Sequence, residues 1–512
     1  MPTPPPPMPQ HRMKITWQQR FMSGFGRYNL PKSIELTIPN WLTGKTMVFF
    51  FVAIFACWMA FGYVPESELI IVAILSTVLF FYGGISMSKG WCRVKEKSFL
   101  RNVFIIGLII RLLWIIYCYF FFNMDHYGHV YGDDADTGWY IDFAKDLSQW
   151  ISGNSKYTLT QIIDINGSAI DDTGYPMWLG FVYLIVGLDN DIFVPFLLKS
   201  LMGAYCALSI YHIAKRHYGE GVARMASIFV CLNPNMIYWS ASMMKEAEMV
   251  FLCCLAVDNI DRVLSSGKRY TFRSLLPGLL AGLALFFFRT ALALSIFLAV
   301  FAHIVMASSR VISIGKKIIA GTLVALTLIV GIGDRFREQT KSMYSIAQSD
   351  AQAKNMEWRS TRKDGGNTFA KYAGTAVFAP LIFTIPFPTF NTAEQGQLVQ
   401  VQLSGGSFIK NVLSFFVIMV MIIMLISGEW RRHVFIIAYT LGYLAILVMS
   451  SYAQSGRFHM PIMPMLMLFA AYGVQLAKTN SRMRRWFPIA LAIEVVACLA
   501  WNWFKLKGRG MI

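Results

Sequence analysis

The chain returns repeatedly to apolar stretches of membrane-crossing length. A transmembrane helix needs about 20 mostly apolar residues, and runs of that order recur between residues 47 and 503 of a 512-residue chain. Hydrophobic side chains make up 56% of it and charged ones 14%, a balance a soluble domain does not show. The expected fold class is therefore an all-α polytopic membrane protein. The formal charge of +18 does not point to nucleic acid. The basic residues lie in short loops between apolar runs, where they set topology. The eight cysteines fall mostly in apolar runs at no metal-ligand spacing, so they read as small core residues.

Charge places the loops. Residues 1–46 are Pro-rich, then basic, with no apolar core in the first 30. They read as a cytoplasmic N-terminal segment rather than a signal peptide. Spans are expected at 47–63 and 69–87, and the run from Lys89 to Arg101 then marks a cytoplasmic loop. A third span at 102–122 crosses outward into a first outer loop, 123–192, where only Lys145 and Lys156 oppose a long series of aspartates. The apolar piece 175–188 is short and flanked by aspartate, so it is expected to lie at the interface without crossing. Spans follow at 193–214, 226–238 and 249–263. The run 275–307 is too long for one span and is broken by Arg289, which gives a helical hairpin. A span at 318–333 leads to a second outer loop, 334–407, with another short apolar piece at 376–388. Spans at 408–426, 434–450, 460–477 and 487–503 bring the total to about thirteen crossings in one membrane domain, 47–503, before the tail 504–512.

One stretch of the first outer loop stands out. Asp133, Asp134 and Asp136 lie together, and Tyr140, Phe143, Ala144, Leu147 and Ile151 then recur on one helical face. The other face carries Asp142, Lys145, Asp146 and Gln149. Asp136 or Thr137 can cap such an amphipathic juxtamembrane helix, but a cap needs one acid, not three.

Charges at a membrane edge are costly and tend to have a use. Under this topology the acidic knot, Lys245 with Glu246, Arg289 at the hairpin tip, and Arg457 with His459 all reach the outer side. A carboxylate can take a proton from an attacking hydroxyl, and cations can hold a departing phosphate. Glycosyl transfer from a lipid-phosphate sugar needs both. Asp133, Asp134 and Asp136 are the catalytic candidates. Arg289, Arg457, Lys245 and His459 are candidates for the donor phosphate, and Glu246, Tyr140 and Tyr175 for other substrate contacts. The hard oxygen donors of Asp134 and Asp136 could also bind Mg²⁺ or Mn²⁺, and whether the reaction needs a metal stays open.

Asp136, Tyr140 and Ala144 after an acidic pair resemble the first outer loop of GT-C fold glycosyltransferases, which include protein O-mannosyltransferases and aminoarabinose transferases. The likeness continues in order. Gly174 to Gly187, with Pro176, is similar to the family's juxtamembrane helix. Lys215 to Gly219 resembles its basic-Gly cytoplasmic turn. Gly278, Gly282 and Arg289 resemble its Gly-rich helix ending in a cation, and Arg457, Phe458 and Pro461 its late Arg-aromatic-Pro element. The resemblance covers residues 131–477 and implies a GT-C type fold, a polyprenyl-phosphate-sugar donor and inverting transfer to a glycan, lipid or protein hydroxyl. It places the active site on the extracytoplasmic side of the cell membrane. Which aspartate is the base stays open, because the family's acidic pair is often Asp-Glu and here three aspartates share the site. A lipid-linked polysaccharide polymerase or ligase is the alternative, shifting weight to the arginines between Arg335 and Arg362. A transporter is disfavoured by the absence of a visible repeat.

Overall fold

The computed structural model describes residues 35–62, 67–127, 130–131, 134–166, 172–187, 193–265, 272–306, 381–390, 402–449 and 455–508. Among these residues every regular element is helical. The first three are α1 (Asn40–Phe61), α2 (Ser67–Gly90) and α3 (Glu96–Asp125). The loop helices follow: α4 (Asp134–Ile151), α5 (Leu159–Ile165) and α6 (Gly174–Val186). Then come α7 (Phe193–Tyr218), α8 (Glu220–Cys231), α9 (Pro234–Tyr238), α10 (Glu246–Ser265), α11 (Phe272–Phe288) and α12 (Thr290–Met306). The last four are α13 (Ser404–Ser427), α14 (Val434–Met449), α15 (Gly456–Thr479) and α16 (Ser481–Gly508).

Seven of these, α1, α2, α3, α7, α13, α15 and α16, are long and apolar enough to cross a membrane by themselves. The helices α6, α11, α12 and α14 are apolar but shorter. The span expected at 318–333 lies outside the described residues, as does most of the second outer loop. The apolar run 275–307 is a hairpin broken at Arg289, as its lone charge implies. The span expected at 226–238 is instead two pieces, α8 and α9, separated at Asn233-Pro234. Proline lacks an amide hydrogen and starts the new turn, and the Asn233 side chain accepts from Met236 N at 3.2 Å.

Burial separates inner from outer helices. In α15, 83% of the most apolar window is inside the protein, against 28% in α3. On α1 the exposed residues Val48, Phe51, Val52, Phe55 and Met59 repeat on one face. In water such a stripe would drive aggregation; in lipid it is the expected outer surface. These belts and the all-helical core make the chain a multi-pass membrane protein.

Two ion-pair staples fix how α7 and α10 lie together. Lys199 meets Glu248 at 3.1 Å, and seventeen residues further along α7 the Arg216 guanidinium meets Asp258 at 2.7 Å and Asp261 at 2.8 Å. Both partner series rise in number, so the helices run in the same direction. The staples are about 25 Å apart along α7 and about 15–20 Å apart along α10 at helical rise, so they hold the two helices together over most of the length of α10.

The loop helices form a lid at one end. Tyr140, Phe143, Ala144 and Leu147 are all buried, as the periodicity predicts, and α4 packs on α6. The crossing is tight: a Cβ on Gly180 would lie 2.7 Å from the Ala144 carbonyl oxygen. The helix starts at Asp134, so Asp136 and Thr137 are within its first turn and not at the cap position expected from sequence. Asp136 instead turns its carboxylate to a distant arginine, described below.

At the opposite end His217 joins the Arg216 staple. Its Nε2 lies 2.8 Å from Asp261 Oδ1, and its Nδ1 lies 2.9 Å from His433 Nδ1. Burial, then His217 and Arg432, push the His433 imidazole down to about 4, with Asp261 pulling the other way. The unfolded chain binds that proton at about pH 6.5 and the folded one only near the lower value. Protonation therefore favours unfolding as pH falls through the window between them. The unfolding midpoint in detergent should fall as pH drops from about 6.5 towards 4, and His433→Asn should flatten that slope. An unchanged slope in the variant excludes His433 as its source.

Candidate active site

The site is built where three helix starts meet. Asp136 is in the first turn of α4, Glu246 begins α10, and Arg457 lies in the first turn of α15. Arg457 Nη1 donates to Asp136 Oδ2 at 2.7 Å, and its Nε donates to Glu246 Oε1. The partners are 321 and 211 residues away in sequence. Glu246 is 0% exposed and Asp136 47%, so the arginine spans from the interior to the edge.

Beside it is a second group. Lys245 donates to Asp172 Oδ1, and the Tyr140 hydroxyl donates to the same oxygen at 3.5 Å. The Lys245 ammonium also lies 5.8 Å from the centre of the Tyr140 ring. Burial holds Lys245 below the usual lysine range; Asp172 opposes the shift and Arg289 adds to it. Burial, then Asp172 and Glu246, push the Tyr140 phenol well up, so it serves as a hydrogen-bond donor. Tyr175 meets Tyr140 edge-on at 5.0 Å and is itself fully buried. It supports the Tyr140 ring from behind.

Lys199 sets the height of this floor. Its ammonium donates to the Met244 carbonyl and to Glu248, and sits 4.6 Å from the Tyr175 ring centre. It thereby fixes the bend that carries Lys245. Arg289, between α11 and α12, stacks 4.3 Å over Phe458 and reaches the Tyr443 hydroxyl at 3.5 Å. That hydroxyl donates to the Phe458 carbonyl at 3.0 Å. Arg289 is thus joined to the residue that follows Arg457.

His459 lies elsewhere. Two residues beyond Arg457, it projects to the other side of the turn, is fully buried, and lies 3.0 Å from Lys410 Nζ by its Nδ1. Lys410 also donates to the Ile385 carbonyl. Asn411 donates to Thr384 O and to Pro386 O, the latter at 3.3 Å, while Asn502 holds Pro388 O at 3.0 Å. Together these residues hold 381–390 against α13 and α16. Within the expected apolar piece 376–388, residues 381–388 form turns and irregular chain.

Asp133 lies outside the described residues. Asp134 begins α4, with its side chain likewise outside them. Among the described residues no three His, Cys, Asp or Glu side chains gather as a metal site, and Asp136 gives one oxygen to Arg457. Sequence reading passed over Asp172, one of many aspartates in its loop, and Lys199 and Lys410. The two lysines carried a readable signal, since each is a cation within an apolar run.

This gathering of acids and cations at one end of an all-helical membrane bundle narrows the comparison. Residues 147–334 match the Alg9-like mannosyltransferase family. It is a GT-C fold family of membrane glycosyltransferases that use lipid-linked sugars. The mannosyltransferase match, over more than a third of the chain, includes Asp172, Lys199, Lys245, Glu246 and Arg289, while Asp136 and Arg457 flank it. The match agrees with the GT-C resemblance, through a family other than the two the motifs suggest. No curated protein and no solved structure matches the chain.

The Lys199–Glu248 pair is buried on both sides, at 0% and 2% exposure. Lys199→Met leaves a buried carboxylate unpaired and should cost about 3–5 kcal/mol. Adding Glu248→Gln should recover much of that loss in thermal unfolding. If the double variant is no more stable than Lys199→Met, the pair is not what holds the bend.

Proposed function

We propose that this protein transfers a sugar from a polyprenyl-phosphate donor to a hydroxyl of a glycan, lipid or protein on the outer face of the cytoplasmic membrane. The observation that carries this reading is the Asp136–Arg457–Glu246 cluster, with Lys245 and Arg289 beside it. The acceptor oxygen attacks the anomeric carbon while the bond from that carbon to the phosphate oxygen breaks. The hydroxyl proton passes to Asp136 or Asp134, and Asp133 completes the acidic knot. The departing phosphate takes its hydrogen bonds from Arg457, Arg289 and Lys245, where charge-assisted bonds are strongest. Attack opposite the leaving group inverts the anomeric centre. Tyr140 and Glu246 fix the cations, and His459, through Lys410, secures the chain segment beside Gly456.

Loss of a positioned base typically costs about 10²–10⁴-fold in rate. Transfer of label from a polyprenyl-phosphate sugar to membrane acceptors should fall by that factor in Asp136→Asn or Asp134→Asn, with normal expression. Full activity in both variants removes the carboxylates from the mechanism. The same reading extends to Mg²⁺ or Mn²⁺ on Asp134 and Asp136. Loss of transfer in EDTA, restored by either ion, supports that extension, and undiminished transfer rules it out.

A further inference from the structure

The two acids on Arg457 are not equivalent. Glu246 is 0% exposed and its second oxygen, Oε2, is buried without a partner among the described residues. Moving Arg457 away would leave that carboxylate buried and unpaired, which is strongly unfavourable. Glu246 therefore holds Arg457 in place. Asp136 is 47% exposed, on the lid helix, and binds Nη1 from the opposite edge of the guanidinium. Water can take over its hydrogen bonds at little cost. Nη2 has no partner among the described residues. The edge of the guanidinium away from Glu246 is thus where an incoming anion can bind, and Asp136 already occupies part of it.

We infer that Glu246 is the permanent positioning residue of Arg457, and that Asp136 is an exchangeable partner whose place the donor phosphate takes. This rests on the lipid-phosphate reading above. Before the donor arrives, Asp136 is held in its ion pair with Arg457. When phosphate occupies Nη1 and Nη2, Asp136 is released on the side where the acceptor must approach. The base thus becomes free only once a leaving group is in position, which protects the site from deprotonating an acceptor without a donor. The order is donor first, acceptor second. The free enzyme binds phosphate more weakly by the fraction of time that Asp136 holds the site.

This assigns opposite signs to two carboxylate substitutions. The test is equilibrium binding of a short-chain prenyl phosphate to the full-length protein in detergent, with the prenyl alcohol of the same chain as control for tail binding. Asp136→Asn should bind the phosphate about three- to tenfold more tightly than wild type, because the competitor is gone, while losing transfer. Glu246→Gln should bind it about tenfold or more weakly, with Glu246→Asp in between. A structural lesion at either position would not produce a gain in affinity together with a loss of turnover. Affinity in Asp136→Asn equal to or below wild type overturns the exchange, whatever Glu246→Gln does. If folded wild type and all variants bind the phosphate no better than the alcohol, the lipid-phosphate reading itself fails, which is a separate result.

Discussion

The guanidinium of Arg457 connects parts of the chain that nothing local would bring together. Its partners come from the lid helix and from the start of α10, 321 and 211 residues away. A half-buried arginine without its interior carboxylate would be a liability, since desolvating a charge costs more than a single exposed partner returns. With Glu246 inside and Asp136 at the edge, the charge is met on two sides. The α10 start and the α15 start are therefore correct together or wrong together, and the lid meets them at the exposed edge of the guanidinium.

The other interior cations follow the same logic one level down. In lipid an irregular backbone survives only where its polar groups are satisfied inside the protein. Three breaks in the helical framework each meet a charged side chain. Arg111, 0% exposed, donates to Gly107 O at 2.9 Å and to Cys231 O at 3.5 Å, at the C-terminal end of α8 where the helix dipole is negative. Lys199 takes the Met244 carbonyl at the bend before α10, and Lys410 takes the Ile385 carbonyl of 381–390. Gly203 leaves room for the first of these, since a Cβ there would lie 2.5 Å from Arg111 Nε. The membrane therefore contains charge at these points where the chain departs from helix, and one of the three, at Lys199, lies next to the site.

Legibility in sequence follows from this. Arg289 was readable because it interrupts an apolar run, and the α4 face because four buried residues keep helical spacing. The parallel run of α7 and α10 agrees with the direction expected from loop charge. What sequence could not give was pairing. Asp172 looks like its neighbours until Lys245 and Tyr140 close on it. His459 lies in the same short motif as Arg457, but the turn sends the two side chains to different sides, one to the acids and one to Lys410. The break at Asn233-Pro234 was hidden in a hydrophobic stretch, because the residues on both sides of it are equally apolar.

Register is the last link between fold and chemistry. The staples at Glu248 and at Asp258 with Asp261 hold α10 against α7 at both ends. One helical turn is about 5.4 Å, so a slip by a turn would carry Glu246 out of reach of Arg457 and place a carboxylate against lipid. Neither staple can shift without breaking the other, since α7 offers no second cation at the matching spacing. A polar contact at the non-catalytic end thus fixes the height of an acid at the site end. The energy of those pairs goes less into net stability, where buried ion pairs contribute little, than into excluding neighbouring registers.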